Sequence, residues 1–197
     1  KGKHTCHVHL NAHASIAFAM GYLTDSKIGV EVVPVQSTSK GKEVWHPSAY
    51  SNQASGLPSV TCVEDVLASS GQDVAICLGI TKDIVADVKC FCTSSLPCVA
   101  RIVSFTVGAV GSQAIQSGVH ARSVAEHVAH YLKTQRSPAE RSGTLHVFAA
   151  APNGLVFFLG QLARGFGQTR LYEYDFEQNT PGAYTLSMSL PNKPTKT

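Results

Sequence analysis

Two distant stretches of this chain, Thr5–Leu23 and Thr144–Leu162, align without a gap, and seven of their nineteen positions are identical. The pairs are Thr5/Thr144, His7/His146, Val8/Val147, Ala12/Ala151, Phe18/Phe157, Gly21/Gly160 and Leu23/Leu162. Background composition gives about one or two such matches. Each stretch is an alternating apolar run, a short break, a run with helical apolar spacing and a glycine, and each leads on to a second strand-like run. A chain that carries the same strand–break–helix unit twice is held to the α/β class. Any two β-α units share part of this pattern; a duplicated Rossmann-like half accounts for all of it.

The rest of the chain fits between the copies. "CHVHLN" (6–11), "ASIAFAMGYL" (14–23) and "VEVVPVQ" (30–36) read as strand, helix and strand. Residues 37–71 turn to Ser, Gly, Pro and Lys, with Trp45 and a short helix expected near 63–69; a connection this long predicts a functional loop or lid. "DVAICLGI" (73–80) reads as a buried strand, "KDIVADVKCF" (82–91) as a helix and "VARIVSFTV" (99–107) as a strand. A glycine-bearing loop (108–118) leads into a helix through about Leu132, and 133–143 reads as a polar hinge. "LHVFAA" (145–150), a helix over 153–164, and strands at 170–176 and 184–190 complete the order. The expected architecture is two fused Rossmann-like halves with largely parallel sheets and a pseudo-two-fold repeat. One domain spans 1–197, with approximate halves 1–95 and 96–197.

Open α/β sheets bind ligands beyond the carboxyl ends of their strands, where helix amino termini point N–H groups outward. The two breaks, "NAHAS" (11–15) and "AAPNG" (150–154), are therefore expected to form facing rims of one site, suited to a ligand with approximate two-fold symmetry. Pro152 costs a helix start little, because its missing N–H has no partner there in any case. Asn11 and Asn153 can cap or offer an amide to a ligand, and His13 and Ser15 flank the first break. The ends of the other strands add Thr81 and Lys82, then Ser112, Gln113, His120 and Arg122, then Tyr174. Thr81 serves equally as a helix cap, Lys82 as a solvated cation, and Trp45 as a loop anchor or as a lid stacking on a ligand ring.

The chain holds 16 Lys plus Arg against 13 Asp plus Glu and no basic run, too little for a domain that coats a nucleic-acid backbone. No stretch approaches the roughly 18 apolar residues of a membrane span. The six cysteines read as free thiols of a reducing compartment. Cys90, Cys92 and Cys98 lack the paired C-x2-C spacing of a structural zinc site, and His127 and His130 lack an H-E-x-x-H context, so no metal or other cofactor is expected. Phosphate-loop, dinucleotide and serine-elbow signatures are absent from the sequence, so a receptor is expected in preference to a catalyst. The open alternatives are an enzyme using His13 or His120 as acid or base on its ligand, and a ligand-independent assembly domain.

"LHVFAAAPNGLVFFLGQLARG" followed by "RLYEYDFEQNTPGAYTLSMSLP" resembles the carboxyl-terminal signature of the SAVED domain, the cyclic-oligonucleotide sensor of CBASS antiphage systems. "AICLGITKDIVADVKCF" and "IQSGVHARSVAEHVAHYL" are similar to its middle motifs, and "HASIAFAMGYL" with Trp45 fits its first half. The resemblance implies two CARF-like halves binding a cyclic di- or trinucleotide between them, oligomerisation on binding, and activation of an attached effector. The "YEYDF" pattern is most like HNH-endonuclease fusions, which respond to cyclic dinucleotides of the cGAMP type. With no HNH motif, TIR or protease domain in the sequence, the expectation is an isolated sensory portion of a cytoplasmic bacterial protein. It is not expected to bind a membrane or, by itself, DNA.

Overall fold

The computed structural model describes residues 4–24, 29–39, 41–47, 56–67, 70–178 and 180–191. In chain order the elements are β1 (Thr5–His9), α1 (Ala14–Leu23), β2 (Glu31–Thr38), β3 (Gly41–Val44), β4 (Val60–Val66), β5 (Asp73–Gly79) and α2 (Val85–Ser95). There follow β6 (Val99–Val107), α3 (Gly118–Thr134), α4 (Pro138–Ser142), β7 (Leu145–Ala150), α5 (Asn153–Leu162), a 3-10 turn (Ala163–Gly165), β8 (Thr169–Tyr174) and β9 (Tyr184–Leu190). They form two sheets, one of three strands in the order β1-β2-β3 and one of six in the order β4-β6-β5-β7-β8-β9. The centre of the large sheet, β6-β5-β7-β8, is parallel, and antiparallel strands β4 and β9 close its edges.

Alternation along β5 decides what covers each face. Val74, Ile76 and Leu78 join the main core with α1, α3 and α5, whereas Ala75 and Cys77 face a smaller core under α2, built on Phe148, Tyr172 and Tyr184. Helix α5 also meets β2, so the helical layer serves both sheets. That double burial explains why "GLVFFLG" is buried at every position from Gly154 to Gly160.

The two repeated helices cross through their aligned glycines. A Cβ on Gly21 would lie 2.0 Å from the Phe157 carbonyl oxygen, and one on Gly160 would lie 2.1 Å from that of Phe18. Only glycine allows two backbones this close. The capping is crossed as well: Glu173 on β8 accepts from the Ser15 N–H at the start of α1 (2.6 Å), and Gln36 on β2 accepts from the Gly154 N–H at the start of α5 (2.9 Å). Each repeated unit thus caps the other's helix. The aligned strands differ in setting, since β1 is an exposed edge and β7 is buried inside the large sheet.

Four local expectations are corrected. The segment read as a short helix near 63–69 is strand β4, paired antiparallel with β6; residues 68–69 lie outside the described set. Trp45 belongs to no polar loop: it follows β3 directly, donates its backbone N–H to the Pro34 carbonyl (2.9 Å) and is 3% exposed. The lid expectation falls partly on 48–55, outside the described residues. The polar hinge contains α4, closed by a Ser137/Glu140 capping box and tied to the 3-10 region by buried Arg136, which donates to the Phe166 carbonyl (2.8 Å). Helix α2 begins at Val85, where Asp83 accepts from the Val85 N–H, so Thr81 does not cap it.

All six cysteines are unpaired, and burial pushes the Cys77 and Cys92 thiols up to about 12. Among the described residues no helix is long and apolar enough to cross a membrane, and no three His, Cys, Asp or Glu side chains converge on a metal-sized site.

Candidate functional site

Three strand exits open on one cleft of about 650 Å³. The end of β2 contributes Gln36, Ser37 and Thr38; the β2–β3 turn and β3 add Ser39, Glu43 and Trp45. The loop after β6 brings Ser112, Gln113, Ile115 and Gln116, and the break after β7 brings Pro152. Antiparallel register explains the first wall: Gln36 lies opposite Glu43, and two-residue periodicity puts Thr38 and Trp45 on that same face. The Thr38 hydroxyl has two acceptors for its one proton, the Gly41 carbonyl at 3.0 Å and the Glu43 carboxylate at 3.3 Å.

Trp45 forms the apolar part of that wall. Its ring packs so tightly on Gly154 that a Cβ there would come within 2.6 Å, and its backbone meets Gly118 equally closely. Its Nε1 is buried and has no hydrogen-bond partner among the described residues. Across the cleft Gln113 donates to the Ser39 hydroxyl (3.2 Å), linking the loop after β6 to the β2–β3 turn. Gln36 accepts from Gly154 and donates to the Ser37 carbonyl (3.1 Å). Among the described lining residues Glu43 alone is charged; the rest are amides, hydroxyls, Trp45, Ile115 and Pro152.

Of the residues singled out from the sequence, Trp45, Ser112, Gln113 and Pro152 line this cleft. Asn153 joins the two breaks: its amide donates to the carbonyls of Leu10 (2.9 Å) and Ala12 (2.7 Å). Asn11 is exposed on the first break. His13 is mostly exposed and 3.8 Å from Glu173, and Ser15 is buried against Ser187 (2.9 Å). Glu173 therefore occupies the start of α1, and none of Asn11, His13 and Ser15 lines the cleft, so the two breaks do not form facing rims of it.

His120 is used internally. Its Nδ1 accepts from the Gln116 N–H, so Nε2 carries the proton toward the Pro58 carbonyl (3.1 Å), and burial lowers its pKa. Arg122 donates to Glu126 and Gln161 and lies over the Phe158 ring. Thr81 donates its N–H to the Ala150 carbonyl; Lys82 sits over the Tyr174 ring, whose hydroxyl donates to the Thr180 carbonyl. None of these five lines the cleft.

Sequence reasoning passed over Gln36, Thr38, Ser39, Glu43 and Gln116. The strand-end rule that selected Pro152 applies equally to β2, whose strand was read through Gln36, but "STS" (37–39) falls in the long polar connection, and the short β3 hairpin that turns Glu43 and Trp45 onto one face has no strong signal.

A polar cleft at the carboxyl ends of parallel strands, of a size that suits a small organic ligand, defines an α/β ligand-binding domain. The chain belongs to the SAVED family: residues 1–190 match the SMODS-associated and fused to various effectors sensor domain. It is 32% identical over 184 residues to CD-NTase-associated protein 4 of Enterobacter hormaechei, covering 93% of this chain and 36% of that protein. The SAVED/CARF-domain containing receptor Cap4 of Acinetobacter baumannii superposes with a TM-score of 0.66 at 15% identity, over 94% of this chain and 36% of that one. The same receptor with the cyclic trinucleotide 2′3′3′-cAAA gives 0.67 at 16% identity, over 94% and 38%. The chain thus spans little more than a third of the length of these relatives.

Proposed function

We propose that this chain is a receptor domain for a cyclic di- or trinucleotide, held in the cleft between the β2–β3 hairpin, the loop after β6 and the start of α5. The observation that carries the reading is the convergence of three strand exits on one polar cleft in a SAVED chain. A relative of the same fold carries a cyclic trinucleotide, which brings that ring size alongside the dinucleotide expected from the sequence. Hydroxyl and amide donors from Ser39, Ser112 and Gln113 would meet phosphate oxygens.

The reading extends to self-association of the liganded domain and activation of an attached effector, for which an HNH endonuclease remains the expectation. Calorimetric titration against cyclic di- and trinucleotides, with light scattering on each mixture, tests it. Micromolar or tighter binding of one ring with a rise in mass is the expected result; no heat from any ring contradicts it.

A further inference from the structure

A cleft for a phosphate-bearing ring that presents a carboxylate poses a chemical question. Facing the phosphates would set like charges against each other, so Glu43 is better matched to a part of the ligand that donates hydrogen bonds. A carboxylate accepts only, with about four lone-pair directions shared between its two oxygens. The Thr38 hydroxyl lies within reach of one of them, at Oε1. Two residues along the same face stands Trp45, buried in the cleft wall beside that acceptor-only edge.

Among the bases, guanine alone offers two adjacent N–H donors, N1–H and the N2 amino group, in the spacing that a carboxylate accepts. Adenine offers one amino donor beside the N1 lone pair, which would confront the second carboxylate oxygen. Gln36 is the less suited reader, since its amide oxygen accepts from the Gly154 N–H and its amino group donates to the Ser37 carbonyl, both within the wall. Resting on the cyclic-oligonucleotide reading above, we infer that Glu43 reads the Watson–Crick edge of a guanine, so that at least one position of the bound ring is guanine-specific.

The test titrates the wild-type chain, Glu43→Gln and Glu43→Ala with pairs of rings of one size and linkage that differ by a single adenine-to-guanine exchange. The wild type is expected to prefer the guanine-bearing ring by about ten- to a hundredfold, as good base-edge pairs do. Both variants are expected to lose that preference while still binding the all-adenine ring. A preference that survives Glu43→Ala overturns the inference, as does a wild type that favours adenine or does not discriminate. Equal loss on both rings overturns it too, and assigns the carboxylate to ribose hydroxyls instead. Those outcomes leave the receptor reading standing; failure of the wild type to bind any ring overturns both.

Discussion

His146 shows how a residue can be part of the repeat and yet have its own chemistry. Its aligned counterpart His7 is exposed, whereas His146 is 1% exposed between Asp73 and Tyr172. Asp73 accepts from Nε2 (3.1 Å), which leaves Nδ1 to accept the Tyr172 hydroxyl proton (2.8 Å), a pattern that needs the neutral ring. Burial lowers the His146 pKa, and His120 is shifted the same way by the same cause. The unfolded chain then binds more protons than the native one below the ordinary histidine pKa of about 6.5. Stability contributed by the two neutral rings is therefore present above about pH 6.5 and lost as pH falls toward their lowered folded values. The slope is at most about 1.4 kcal/mol per pH unit for each ring. Urea unfolding at pH 7.5, 6.5 and 5.5 is expected to show a decline that His146→Gln reduces; an unchanged slope in the variant contradicts the assignment.

At the scale of elements, the α1–α5 crossing is the most exacting contact. Gly21→Ala or Gly160→Ala would drive a methyl group into a backbone carbonyl of the other helix, which no rotamer change relieves. Each is expected to destabilise the chain by about 3 kcal/mol, the upper end for overpacked cores, in denaturant unfolding. Gly165→Ala meets only the Lys133 side chain at 3.9 Å and is expected to be tolerated. If all three variants unfold alike, the crossing is not what the glycines serve. Helices α1 and α5 were legible because apolar spacing is set locally. Strand β4 was misread because Val63 and Val66, exposed at 60% and 71%, add an apolar i, i+3 spacing that imitates a helix. Position 153 was legible as a polar break, but its bonds to Leu10 and Ala12 join segments far apart in sequence, which no local pattern encodes.

Across the whole molecule, two sheets share one helical layer, and the cleft lies where strand exits from both come together. The sequence carried the strand-end logic but not the folding of the β2–β3 hairpin against the loop after β6, so only part of the wall was named in advance. Lys82 and Arg122, natural choices for phosphate contact, are engaged with Tyr174 and with Glu126, Gln161 and Phe158. The account therefore depends on neutral donors around Trp45.

The most direct measurement is calorimetric titration of one cyclic oligonucleotide panel into the wild-type chain and into Ser112→Trp, which fills the cleft from an exposed loop position. The account predicts that the wild type binds one ring and that Ser112→Trp, with an unchanged melting temperature, loses at least about tenfold in affinity, or about 1.4 kcal/mol. Equal binding by both proteins would place the ligand elsewhere, and no binding by the wild type would contradict the receptor reading itself.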